Sequence, residues 1–128
     1  MIQLNTAFKV DLSNLVKEDD SFTLTWKVPE DLPYFQGHFP NQPVLPAVAV
    51  IDLVLHLISQ VHSQDYKFKN IKSAKFAAVI SPNDELEVQM TYNKSKELWS
   101  SIFKNKDQDL VCRIQFSLLC EETSATRS

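Results

Sequence analysis

Residues 32–52 read LPYFQGHFPNQPVLPAVAVID, and the fold of the chain turns on how this stretch divides. It holds four of the six prolines, the only glycine, one of three histidines and a carboxylate inside an apolar run. Proline locks φ at about −65° and lacks an amide hydrogen, so Pro33, Pro40, Pro43 and Pro46 make a stiff path with few conformations. Gly37 stands directly before His38, where a missing Cβ permits a tight bend or close approach by a ligand. From Ala47 the run AVAVIDLVLHLI is too long for an ordinary strand and predicts a buried helix. Pro46 suits its first position, where a missing N–H costs nothing. The helix runs to about residue 62 and is hydrophobic nearly all round, so other structure should wrap it. A stiff loop carrying His38 thus feeds a helix whose second turn carries Asp52.

The flanking segments read as strands. SFTLTWKV, 21–28, puts Phe22, Leu24, Trp26 and Val28 on one face and polar residues on the other. After the helix comes a strand-like run over 66–80, then SPND at 81–84, a turn. Residues 85–92 alternate strictly, with Leu86, Val88, Met90 and Tyr92 inward. A polar loop at 93–96 leads to a strand over 97–104. KDQD at 106–109 turns again, and 110–120 alternates inward at Leu110, Cys112, Ile114, Phe116, Leu118 and Cys120. Residues 1–10 alternate moderately and predict a first strand, 11–20 a connector or short helix. The order predicts an α+β architecture, one curved antiparallel sheet around one long helix. A single domain over 1–128 is expected, its core at about 21–120 and its polar tail at 121–128.

The bulk numbers narrow the function classes. The 128 residues, 44% hydrophobic and 23% charged, suit a globular domain with a real core. A net charge of −3 gives no support for nucleic-acid binding, which wants a basic face. No apolar run reaches the ~20 residues of a membrane span, and residues 1–10 have no leader-like apolar stretch, so a soluble cytoplasmic protein is expected. With one glycine in the chain, loops must turn on Asn, Asp, Ser and Pro. Cys112 and Cys120 lie eight residues apart on one strand, ~27 Å if it is straight, which excludes a disulfide between them. Both read as buried small hydrophobes.

The segment GHFPNQPVLPAVAVID, 37–52, resembles the signature of the hotdog-fold 3-hydroxyacyl-(acyl carrier protein) dehydratases: Gly-His-Phe-Pro, a further proline, the helix start, and an acid fourteen residues after the histidine. KFAAVISPNDELEV, 75–88, is similar to the family's Lys-Phe segment and the turn and strand that follow it. The flavour of VPEDLPYFQGHFP, 28–40, is closest to the small dehydratases of aryl-polyene-type clusters. The resemblance covers most of residues 21–120. It implies a homodimer, or a trimer of dimers, whose sheets join edge to edge with two active sites at the interface. It also implies that His38 removes the α-proton of a 3-hydroxyacyl chain held on the phosphopantetheine of an acyl carrier protein. Asp52 of the other copy would protonate, or orient water near, the departing hydroxyl, and no metal or organic cofactor is needed. The chain departs from the family at Ala47, where a glycine is usual, at His56, where an amide is usual, and at Ala77 or Ala78, in place of an arginine.

Physical chemistry points the same way. Histidine titrates near neutrality and serves as a base. An acid set among Val48, Ile51, Leu53 and Leu55 is expected to keep a proton available. The N–H groups of Ala47 and Val48 at the helix start would stabilise charge developing on a thioester oxygen. Gly37 and Phe39 flank the base. Tyr34, Phe35 and Phe39 read equally as the lining of an acyl tunnel or as core. His56, one turn beyond Asp52, is expected to pair with it, and His62 reads as a solvated helix end. His38, Asp52 and His56 lack further ligands of good type, so no metal site is expected. Lys67, Lys69, Lys72 and Lys75 put four positive charges into nine residues, either a solvated strand face or a docking patch for an acidic carrier protein. Two rival readings remain: a hotdog thioesterase with Asp52 as base or nucleophile, and a non-catalytic subunit that binds acyl chains or an active partner.

Overall fold

The computed structural model describes residues 8–35 and 44–120. Gly37, His38 and Phe39 therefore lie outside the described residues, as do most of the expected first strand and the tail.

Strand β1 (Val16–Glu18), β2 (Ser21–Lys27), helix α1 (Ala47–His62), β3 (Tyr66–Phe76), β4 (Glu85–Asn93), β5 (Leu98–Lys104) and β6 (Leu110–Cys120) follow in chain order. The strands form one sheet in the order β1-β2-β4-β5-β6-β3, every neighbouring pair antiparallel. The core lies between one face of this sheet and one face of α1, which is the hotdog arrangement.

Residues paired directly across antiparallel strands share a face of the sheet. One row runs Leu24, Val88, Phe103, Cys112, Phe76 across β2, β4, β5, β6 and β3. A second runs Phe22, Met90, Ser101, Ile114, Ala74. The first four members of each row are buried, as period-2 alternation predicts. From α1, the residues Ala49, Val50, Leu53, Val54, Leu57 and Ile58 pack onto them, a spacing that places all six on one helical stripe.

Several expectations are corrected. Residues 8–10 form no strand: Phe8 is fully buried, a short 3-10 turn covers Leu12–Asn14, and β1 hairpins onto β2. β3 stops at Phe76 rather than 80, because the amides of both Ala77 and Ala78 turn onto the Val111 carbonyl. Pro46 is the N-cap, with extended backbone (φ −72°, ψ 157°), and not the first helical residue. The helix is not wrapped on all sides by its own chain, since Val48 is 61% exposed and Asp52 is exposed. Cys112 is buried but Cys120 is exposed, and both thiols are free.

The scarcity of glycine has a visible cost. Lys9, Ser63, Asn83, Glu97 and Gln108 all take positive φ between 49° and 70°, a region glycine fills without strain. Ser63 ends α1 this way, and its amide and that of Gln64 cap the carbonyls of Gln60 and Ser59. In the 81–84 turn, Asp84 accepts from the Ser81 amide at 2.8 Å and its own amide returns to the Ser81 carbonyl.

Candidate active site

The site is built where the path from β2 meets the start of α1. Pro33–Phe35 form a single 3-10 turn, closed by the Phe35 amide on the Leu32 carbonyl at 3.0 Å. Leu32 and Phe35 are buried and anchor the turn. Tyr34 between them points along the surface and stacks on Phe8, ring centroids 5.9 Å apart and planes 15° from parallel. Phe8 is held in turn by Trp26, whose buried Nε1–H donates to the Phe8 carbonyl at 2.7 Å. On the return side, the Leu45 amide donates to the Ile80 carbonyl at 2.8 Å, fixing the approach to the helix.

The Tyr34 hydroxyl donates to Oδ2 of Asp52 at 3.0 Å. Burial and the neighbouring Asp52 carboxylate together raise the Tyr34 phenol above its ordinary 10, burial contributing most. Asp52 lies on the outward side of α1, in its second turn, and is exposed. Ala47 and Val48 lie ahead of the first intrahelical bonds, which begin with the Ala49 and Val50 amides on the Pro46 carbonyl. Their N–H groups are the orphan donors of a helix start, on exposed residues at the same end as Asp52.

His56 packs against Phe8. Its half-buried ring lies 5.6 Å from Phe8. Burial lowers its pKa below the ordinary 6.5, with the Gln60 side chain pulling the other way. Asp52 accepts a hydrogen bond from Tyr34, on a different element. His62 is exposed at the helix end, as expected, with one side of its ring on aromatic neighbours. Its ring meets Phe22 at 6.2 Å and Trp99 at 5.8 Å edge-on, and burial, then the Lys17 charge, lowers its pKa.

The structure thus brings Ala47, Val48 and Asp52 together at one end of α1. Lys67, Lys69, Lys72 and Lys75 are on a different element, exposed along β3. Lys69 and Lys72 fall where the β3–β6 register shifts, so bulges set them off the regular ladder. Burial pushes the Cys112 thiol up to about 12, which leaves no thiolate nucleophile there. Among the described residues no three His, Cys, Asp or Glu side chains converge on a metal position, and no helix is long and apolar enough to cross a membrane. Sequence reasoning missed the Tyr34–Asp52 bond. The two residues are 18 positions apart and on different elements, so no periodicity or spacing rule connects them.

With this geometry in view, comparison with known proteins is decisive about kinship. The family model of the ApeI-like dehydratases (ApeI dehydratase) matches residues 14–115, taking in both signature blocks. The chain belongs to the ApeI-like dehydratase family. Among curated relatives, the 3-hydroxyacyl-(acyl-carrier-protein) dehydratase FabZ of Latilactobacillus sakei is 39% identical over 70 residues, 49% of this chain and 50% of that enzyme. This match therefore spans only half of that enzyme's length. The FabZ of Coxiella burnetii is 27% identical over 114 residues, 78% of this chain and 79% of the enzyme (strain RSA 331). Among solved structures, the dehydratase heterocomplex ApeI:P from Xenorhabdus doucetiae superposes with a TM-score of 0.70 at 25% identity. That superposition covers 80% of this chain and 88% of the other.

Proposed function

We propose that this chain dehydrates 3-hydroxyacyl thioesters carried on the phosphopantetheine arm of an acyl carrier protein, yielding the 2-enoyl thioester and water. One observation carries the reading: Asp52, at the family's fourteen-residue spacing from His38, is exposed on the outward side of α1, in the turn after the orphan amides of Ala47 and Val48. In the reaction His38 takes the proton from C2 and the C–H electrons become the C2=C3 double bond. The C3–O bond breaks, and Asp52 gives the departing hydroxyl the proton that makes it water. The Ala47 and Val48 N–H groups face the thioester oxygen, on which enolate charge develops. Gly37 and Phe39 shape the loop around the base.

The reading includes a homodimer with each site shared between copies. Ile71, Ala74 and Phe76 lie on the same face of the sheet as buried Phe116, Ile114 and Cys112, yet they are exposed. An eleven-residue edge strand with uncovered apolar side chains needs a partner, and two-fold pairing of β3 with β3 continues the sheet and covers them. Asp52 then works with His38 of the other copy. The lysines of β3 steer the acidic carrier protein toward the site. Free thiols suit a cytoplasmic location.

The test gives purified protein a 3-hydroxyacyl thioester on a holo carrier protein and follows loss or gain of one water by mass, with His38→Ala and Asp52→Asn alongside. Dehydration that each substitution lowers at least ~100-fold is the expected result. Release of free acid would replace the reading by a thioesterase. Binding without turnover would replace it by a non-catalytic subunit.

A further inference from the structure

The dehydratase reading leaves a question at Asp52: an exposed carboxylate on a helix rotates about its side-chain bonds, and proton transfer in a shared site needs one oxygen held in place. Tyr34 answers it. Its hydroxyl takes Oδ2 at 3.0 Å, while Oδ1 has no hydrogen bond among the described residues. The phenol is itself fixed, because its ring stacks on Phe8, and Phe8 is fully buried and tied through its carbonyl to Trp26. Tyr34 also sits in the 3-10 turn four residues ahead of His38, so one residue links the root of the base's loop to the acid on the helix.

We propose that Tyr34 is the positioning residue for Asp52, holding Oδ2 so that Oδ1 is the oxygen that exchanges a proton with the substrate's 3-hydroxyl. The inference rests on the catalytic role assigned to Asp52. Tyr34 acts through Asp52 and need not touch substrate. Phe8 acts one step further back, as the surface against which the phenol ring is braced.

The experiment compares wild type, Tyr34→Phe and Asp52→Asn on a 3-hydroxyacyl carrier-protein thioester. Tyr34→Phe keeps the stack on Phe8 and removes only the hydroxyl. Its kcat should fall roughly tenfold with KM within about twofold, the scale at which loss of an orienting hydrogen bond is felt, and Tm should stay within about 2 °C. Wild-type kcat in Tyr34→Phe overturns the proposal, and so does a change confined to KM, which would make Tyr34 a substrate contact. A wild-type rate in Asp52→Asn is a different failure, because it removes Asp52 from the chemistry. A second readout needs no turnover. With ring carbons of the three tyrosines labelled, the Tyr34 phenol should titrate above its ordinary 10 in wild type and move down toward it in Asp52→Asn. An unchanged titration means the two groups are not in contact, which overturns the proposal whatever the activity.

Discussion

β4 and β3 are both long strands of one sheet, and each carries apolar side chains on the face that looks toward α1. In β4 those side chains, Leu86, Val88 and Met90, are at most 2% exposed. In β3 their counterparts Ile71 and Phe76 are 38% and 42% exposed, although each is paired in register with a fully buried residue of β6. The rows of the sheet are the same rows; what changes is the cover. β3 is the terminal strand, with a neighbour on one side only, and is bent by two bulges. Val48 and Asp52 of α1 are likewise exposed. One part of the sheet is finished by intrachain packing, and the other keeps apolar side chains exposed; the proposed dimer would cover them.

The largest effect should come from breaking the finished part. Val88→Asp buries an unpaired carboxylate in the centre of the covered rows and should cost about 3–5 kcal/mol, read as loss of the cooperative thermal transition. Retention of a wild-type Tm would mean that β4 is not central to the core.

Next is Ile71→Asp on β3. The fold should survive, with a stability change of about 0.5 kcal/mol or less at protein concentrations where wild type is monomeric. Sedimentation should nevertheless shift from dimer to monomer, and dehydration should disappear with it. A variant that remains dimeric would show that β3 is not the joining edge.

His56 gives a smaller, pH-dependent effect. Its folded pKa lies below 6.5, so the fold holds the neutral ring. The unfolded chain therefore binds more protons between the folded value and 6.5, and stability is full above that window and lost as pH falls through it. Tm should drop on going from about pH 7.5 to about pH 5.5, and His56→Gln should flatten part of that drop, as followed by calorimetry.

The smallest effect belongs to the exposed lysines. Lys72→Glu should leave Tm within about 1 °C but raise KM for the carrier-protein substrate a few-fold, with the difference shrinking as salt is raised. An identical KM for the two proteins at low salt would make the cluster a solvated face.

How much of this was legible beforehand differs between the two parts. The period-2 runs of β2, β4 and β6 and the apolar run of α1 placed the covered part to within a residue or two, because burial by local alternation is written along the chain. The end of β3 was not legible, because Ala77 and Ala78 leave the ladder only through their shared bond to Val111 on another strand. The bond from Tyr34 to Asp52 was not legible for a similar reason.

The amino-acid sequence by itself determined the architecture, the family signature around Asp52 and the presence of a proline-stiffened path into the helix. Those features depend on spacing, propensity and hydrophobic period, all of which are local. Tertiary structure alone decided that Ile71 and Phe76 of β3 stay exposed, that Asp52 faces outward, and that Tyr34 bonds it. Each of these depends on where segments far apart in the chain come to rest against one another, and the packing of Phe8 against Trp26 and Tyr34 is the contact that settles the last.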